Sequence, residues 1–166
     1  MKNRKRNRLL GYDYSSDNLY FITICIQNRV CCLGKVIRNE SSNDVNSQLF
    51  QMDLNQFGQI VENRILWLAE QYKYVVLHNY VVMPNHVHAI IEINSSLVKD
   101  TKIKSLSQLV GAFKTTSSKH IHLAGYKEFK WQRSFHDNII RNMRAFQNIS
   151  NYIDSNPDKW QKDVFY

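Results

Sequence analysis

Apolar positions recur along the chain at two spacings, and these divide it into strands and helices. Leu19 to Ile26 (Leu-Tyr-Phe-Ile-Thr-Ile-Cys-Ile) is an unbroken aromatic and β-branched run, the mark of a buried strand. Further strands are predicted near Leu33–Arg38 and Gln48–Met52, separated by the polar stretch 39–46, a loop by composition. Asp53, with Gln56 three residues on, resembles a capping box and predicts the start of the first long helix. Leu54, Phe57, Val61, Ile65 and Leu68 then recur at helical spacing as its buried stripe. Trp67 and Tyr72 on that helix are assigned to the core. Tyr74–Met83 reads as a strand, and Pro84-Asn85 breaks it before another begins at His86, so short a connection that a hairpin is expected. Ser105 and Gln108 form a second capping-box signature, with Leu106, Leu109, Val110 and Phe113 as the apolar face behind it. Ser134–Arg141 reads as a short strand. The last helix runs from Met143 to Ser155 and is stopped by Asn156-Pro157.

The resulting order, β-β-β-α-β-β-α-β-α, has no internal repeat and no linker. In 166 residues it predicts one α+β domain with a mostly antiparallel sheet, residues 1–10 forming a basic arm. Composition sharpens this in two ways. A net charge of +8, in a chain carrying three Trp, nine Tyr and eight Phe, favours a polyanionic partner over an acidic or apolar one. Residues 2–8 alone carry five of the positive charges, and read either as an arm lying on phosphates or as a solvated terminus. The three cysteines, Cys25, Cys31 and Cys32, include no CxxC spacing and offer no disulfide framework, so neither a zinc ribbon nor an oxidising compartment is implied. With no apolar run of about eighteen residues and no signal-type segment, a reducing cytoplasm and no membrane contact are expected.

Candidate chemistry lies in Met83-Pro84-Asn85-His86-Val87-His88. Side chains alternate along a strand, so His86 and His88 share a face while Val87, Ala89, Ile91 and Ile93 fill the other. Two imidazoles side by side on a rigid strand make a pair of divalent-metal ligands, although hydrogen-bonded histidines on a strand would leave the same trace. A metal site needs at least one further ligand. The remaining histidines have no comparable spacing, and His120 and His122 would splay near a helix end. On the last helix Tyr152 and Asn156 are four apart, about 40° around its axis, at the edge of a stripe formed by Phe146, Ile149 and Ile153. They could face a site on the sheet, or be a boundary aromatic and a C-terminal cap. Glu92 shares the histidine face, with solvent exposure as its expected state.

These residues, taken together, resemble the REP-associated tyrosine transposases, within the single-tyrosine branch of the HUH (His-hydrophobic-His) nucleases. Besides the His-x-His strand and Tyr152-Ile153 with Asn156-Pro157, the resemblance rests on Gly11-Tyr12-Asp13-Tyr14, the Tyr20-Phe21-Ile22-Thr23 strand, Leu54-Asn55-Gln56-Phe57-Gly58, Val110-Gly111-Ala112-Phe113-Lys114, Trp131-Gln132-Arg133 and Asp137-Asn138-Ile139-Ile140-Arg141. It covers nearly the whole chain. It implies a ferredoxin-like fold with the tyrosine helix laid against the sheet. His86 and His88 would hold Mg²⁺ or Mn²⁺, with Asn156 as third ligand, and Tyr152 would be the nucleophile toward a phosphodiester of single-stranded DNA. The product would be a 5′-phosphotyrosine and a free 3′-OH, rejoined without a nucleotide cofactor. A phenol ionises near pH 10, so it must be activated or placed at a polarised phosphate. Some single-tyrosine relatives carry Gln where this chain has the shorter Asn156, which leaves direct ligation, ligation through water and no ligation all open. Phe135-His136 stand where paired aromatics are common in the family, and His136 could be a DNA contact or a proton carrier.

The partner implied is single-stranded or hairpin DNA, bound by a monomer or homodimer. Lys114, Arg133, Arg141 and the arm residues Arg4, Lys5 and Arg6 are candidate phosphate contacts, although Arg141 could equally pair with an acidic side chain. Two other readings stand beside the transposase: a nucleic-acid-binding module without catalysis, and a metal-dependent nuclease that uses water.

Overall fold

A computed structural model of the chain describes residues 9–40 and 48–162. Its main sheet has four strands: β1 (Asn18–Cys25), β4 (Val75–Val82), β5 (His86–Ile93) and β6 (His136–Ile140). Their spatial order is β4-β5-β1-β6, every neighbouring pair antiparallel. Between β1 and β4 the chain forms a separate hairpin, β2 (Gly34–Arg38) and β3 (Phe50–Leu54), and then the helix α1 (Gln56–Gln71). Helix α2 (Leu106–Leu123) joins β5 to β6, and α3 (Met143–Asp154) follows β6. Leaving the hairpin aside, this is the β-α-β-β-α-β wiring of a ferredoxin-like sheet, as the resemblance implied.

Alternation along the strands separates two apolar layers. Tyr20, Ile22 and Ile24 of β1 and Val87, Ala89, Ile91 and Ile93 of β5 point to one face, where Val61, Ile65 and Leu68 of α1 and Leu109, Val110 and Phe113 of α2 complete the main core. The other face carries Phe21, Ile90 and Ile140 and is covered by α3 through Ile153, with Phe146 and Ile149 half-buried beside it. Each fully buried Ile or Leu contributes roughly 1.5–3 kcal/mol. The larger layer therefore supplies most of the stability, and the smaller one holds α3 in place.

Two expected boundaries shift. The strand expected at Gln48–Met52 is Phe50–Leu54, so Asp53 lies within it, opposite Lys35, and does not start a helix. Asn55 takes that role: its side-chain oxygen accepts from the amides of Phe57 and Gly58. Asp53 and Asn55 are both good caps, and pairing with β2 decided between them. The second signature is met as read. Ser105 accepts from the Gln108 amide, and the Gln108 side chain accepts from the Ser105 amide.

A β-bulge connects the sheet to α3. Leu77 pairs with Ile91 and Asn79 with Ile90, leaving His78 as the extra residue. Asn79, which strict alternation would send into the main core, is thereby turned toward α3. There its amide donates to Ser150 Oγ and to Asp154 Oδ1, both at 2.8 Å. His78 lies on the same side, edge-on to Phe146, and pairs with Glu92 at 2.5 Å.

Candidate active site

The short connection Met83-Pro84-Asn85 delivers His86 as the first residue of β5, so the imidazole pair sits where the sheet emerges from the hairpin turn. Both histidines are sealed off from solvent, at 0% and 1% exposure. Their Nε2 atoms face each other at 3.0 Å. Behind them, His86 Nδ1 lies 2.7 Å from Asn85 Oδ1, and His88 Nδ1 lies 2.8 Å from Thr23 Oγ1, its cross-strand neighbour on β1. Burial, reinforced by the adjacent His86, holds the His88 imidazole well below its ordinary value of 6.5. His88 is therefore neutral at neutral pH, the form in which imidazole ligates metal.

From the other side α3 contributes Tyr152. Its hydroxyl lies 3.4 Å from His88 Nε2, and its ring meets the His88 ring at 5.2 Å. Phe21 stacks on His88 at 5.4 Å and meets Tyr152 edge-on at 6.2 Å. Beyond α3 the chain turns through the 3-10 helix Pro157–Lys162, which lays the Trp160 ring over His86 at 6.0 Å. The fold thus brings three of the sequence-derived residues, His86, His88 and Tyr152, into one cluster. Sequence reading missed its aromatic walls, Phe21 and Trp160. Phe21 alternates with the core residues of β1 and so was legible as facing the histidine side; Trp160, beyond the last helix, left no such trace.

Asn156 departs from the expected geometry. The helix ends at Asp154 with Ser155 as its cap, so Asn156 is not a fifth residue on the Tyr152 edge. It lies in the following turn, wholly buried, and neither its side-chain nitrogen nor its side-chain oxygen has a hydrogen-bond partner among the described residues. A buried amide left unpaired costs roughly 1–3 kcal/mol. In sequence it sits between Tyr152, which meets His88, and Trp160, which meets His86.

This donor set bears on the metal implied by the resemblance. No group of three His, Cys, Asp or Glu suited to a metal exists among the described residues. Among the described residues a further ligand would then be neutral, and the orphaned Asn156 side-chain oxygen is such a donor. Two imidazoles and one amide fit a divalent cation whose other positions are left to oxygen ligands such as phosphate.

The candidate DNA contacts are distributed unevenly. The Lys114 ammonium donates to the carbonyls of Gln132, Arg133 and Ser134 at 2.7, 3.3 and 3.3 Å and lies 5.7 Å from the Phe135 ring centre, strapping down the segment that leads into β6. A phosphate contact by Lys114 would have to compete with those carbonyls. Arg133 and Arg141 are exposed and flank β6. That strand spans about 14 Å at roughly 3.4 Å per residue, and Arg133 is at the end nearer the histidines. His136 is exposed and pairs with Thr23, which puts it two strands from His88, about 10 Å away. Arg4, Lys5 and Arg6 lie outside the described residues. Glu92, expected in solvent, is instead half-buried and held by His78 and Asn94.

Comparison with known proteins agrees with this architecture. The IS200-like transposase family matches residues 20–156, a span that holds both histidines, Tyr152 and Asn156. An uncharacterised protein of Haemophilus influenzae is 30% identical over 178 residues, covering 98% of this chain and 93% of its own. Two solved structures share the fold. One, a REP-associated tyrosine transposase bound to a REP hairpin, superposes with a TM-score of 0.59 at 20% identity, covering 95% of this chain and 74% of that one. The other, a Deinococcus radiodurans protein described as a transposase, gives 0.50 at 16% identity over 89% of this chain and 95% of that one. With the family match running from β1 to the turn beyond α3, the chain belongs to the IS200-like transposases.

Proposed function

We propose that this protein cleaves and rejoins single-stranded, hairpin-associated DNA through a covalent 5′-phosphotyrosine on Tyr152, with Mg²⁺ or Mn²⁺ held by His86, His88 and Asn156. One observation carries the reading: the Tyr152 hydroxyl lies 3.4 Å from His88 Nε2, at the mouth of an imidazole pair whose Nε2 atoms are 3.0 Å apart. A nucleophile is thus held beside two candidate metal ligands. When bound there, a divalent cation would neutralise charge on the phosphoryl oxygens and orient the scissile bond. The protein's part is positional. The sheet fixes both histidines, α3 fixes the phenol, and Phe21 packs against both rings so that neither can swing away. In the chemical step the Tyr152 Oη–P bond forms as the P–O3′ bond breaks. The phenolic proton is released to solvent and the 3′-oxygen takes one up, so no net proton is consumed. The reverse attack by a 3′-OH restores the phosphodiester. The fold it shares with a transposase bound to a REP hairpin supports hairpin DNA as the substrate class.

The test is covalent capture. End-labelled hairpin DNA with a single-stranded flank is incubated with the full-length protein and Mn²⁺, then denatured. An adduct formed by the wild type and lost in both Tyr152→Phe and His86→Ala is the expected result. Cleavage without adduct would assign the chemistry to water, and binding without cleavage would leave a non-catalytic module.

A further inference from the structure

Resting on the reading of His86 and His88 as metal ligands, we propose that Asn85 is a positioning residue that dictates which nitrogen of His86 carries the proton, so that Nε2 always presents its lone pair to the metal. Asn85 is 1% exposed, and its contacts include one to Cys31 and three that bear on His86. Its carbonyl accepts from the Ile26 amide at 2.9 Å, its side-chain nitrogen donates to the Arg29 carbonyl at 3.3 Å, and its side-chain oxygen meets His86 Nδ1 at 2.7 Å. The Arg29 carbonyl can only accept, so it fixes which end of the amide is nitrogen and turns the oxygen toward His86. That oxygen in turn can only accept, so Nδ1 must be the protonated nitrogen of the neutral ring. Nε2 is left bare, facing His88.

Residue type follows from this. A side chain of this reach with one donor and one acceptor at its head is Asn. Aspartate would keep the bond to His86 but set a carboxylate against the Arg29 carbonyl, and alanine would abandon both contacts. The acceptor it leans on is itself built by unusual backbone. Asn28 and Arg29 adopt φ of 58° and 56°, a left-handed conformation that side chains other than glycine rarely take, and Arg29 presents its carbonyl to Asn85 from there. His88 is treated differently. Its Nδ1 faces the Thr23 hydroxyl, which can donate or accept and so accommodates either tautomer. One ligand is preset and the other adjustable.

The experiment reads the proton directly. In full-length, metal-free protein at neutral pH, long-range ¹H–¹⁵N correlation of the histidine side chains should show His86 protonated at Nδ1. Asn85→Ala should convert that signal to a mixture of tautomers and weaken Mn²⁺ binding, followed by calorimetry, by about 10–100-fold, the usual loss when a ligand's outer partner is removed. Asn85→Asp, which keeps the acceptor, should restore the Nδ1-protonated signal and an affinity within a few-fold of wild type. Wild-type His86 protonated at Nε2 would overturn the proposal, and this holds even if Asn85→Ala fails to fold. So would an Asn85→Ala protein with unchanged tautomer and affinity, while His86→Ala still abolishes Mn²⁺ binding; in that case the metal-site reading stands. If His86→Ala binds Mn²⁺ as well as wild type, the metal-site reading falls, and this proposal with it.

Discussion

Tyr152 shows how little a side chain's identity says without its surroundings. A half-buried tyrosine on an amphipathic helix is ordinarily a boundary residue; here its hydroxyl meets the Nε2 of a buried histidine. Removing that hydroxyl should abolish the covalent adduct and leave the melting temperature within about 2 °C of wild type, because the aromatic contacts with Phe21 and His88 remain. Differential scanning fluorimetry alongside the adduct gel checks both halves. The depressed titration of His88 has a consequence for stability. With the folded-state value below the unfolded value of 6.5, the stabilisation is fully present above pH 6.5. It is lost as pH falls through the folded value, because the unfolded chain takes up a proton that the folded protein refuses. In chelator-treated protein the melting temperature should therefore begin to fall below about pH 6.5, and fall less steeply in His88→Gln. Equal slopes for the two proteins would remove His88 as the cause.

Elements place these residues, and small contacts place the elements. Helix α3 rests on the sheet through one fully buried side chain, Ile153, and through the Asn79 amide that the bulge turns toward it. Ile153→Ala should cost roughly 2–5 kcal/mol by chemical denaturation. It should lower adduct yield more than Mn²⁺ affinity, because two of the three proposed ligands, His86 and His88, stand on β5 and only Asn156 follows α3. At the start of α1, Gly58 packs against the backbone of the preceding loop: a Cβ built there would sit 2.0 Å from the Leu33 carbonyl oxygen. Its place in the Leu54–Gly58 motif thus has a steric cause. Gly58→Ala should force α1 away from the hairpin and destabilise the fold by about 1–3 kcal/mol or more, despite alanine's better helix propensity.

At the scale of the whole molecule the relevant quantity is the net charge of +8. The Lys114 ammonium donates to three carbonyls, whereas Arg133 and Arg141 are exposed; these and the basic stretch 2–8 are the candidate phosphate contacts, and Lys114 would have to leave its carbonyls to join them. Hairpin-DNA affinity should decline with salt along a log–log slope of about 0.7–0.9 per phosphate contacted. Deleting residues 2–8 should flatten that slope by several contacts' worth, with cleavage chemistry retained at low salt. A titration series of the full-length and shortened proteins measures it, and identical slopes would reduce the stretch to a solvated terminus. No helix among the described residues is long and apolar enough to cross a membrane.

The sequence by itself determined the order of elements, the capping box at Ser105 and the face shared by His86 and His88, since each of these depends on spacing within one segment. It also carried the family pattern. The start of α1 is ambiguous in the sequence because Asp53 and Asn55, two residues apart, are equally fit to cap, and strand pairing with β2 chose the second. Four-residue spacing sets Asn156 beside Tyr152 only if helical geometry carries on past Ser155, whereas the helix ends at Asp154 and buries the side-chain amide in a turn. Only the tertiary structure could bring Tyr152 to His88, 64 residues away, or set the Phe21 and Trp160 rings against the pair. It alone also showed the Lys114 ammonium bonded to the carbonyls ahead of β6 and revealed the chain from the Arg29 carbonyl through Asn85 to His86. Spacing reports which face a side chain occupies; what waits on the other side of that face is decided by how distant segments pack.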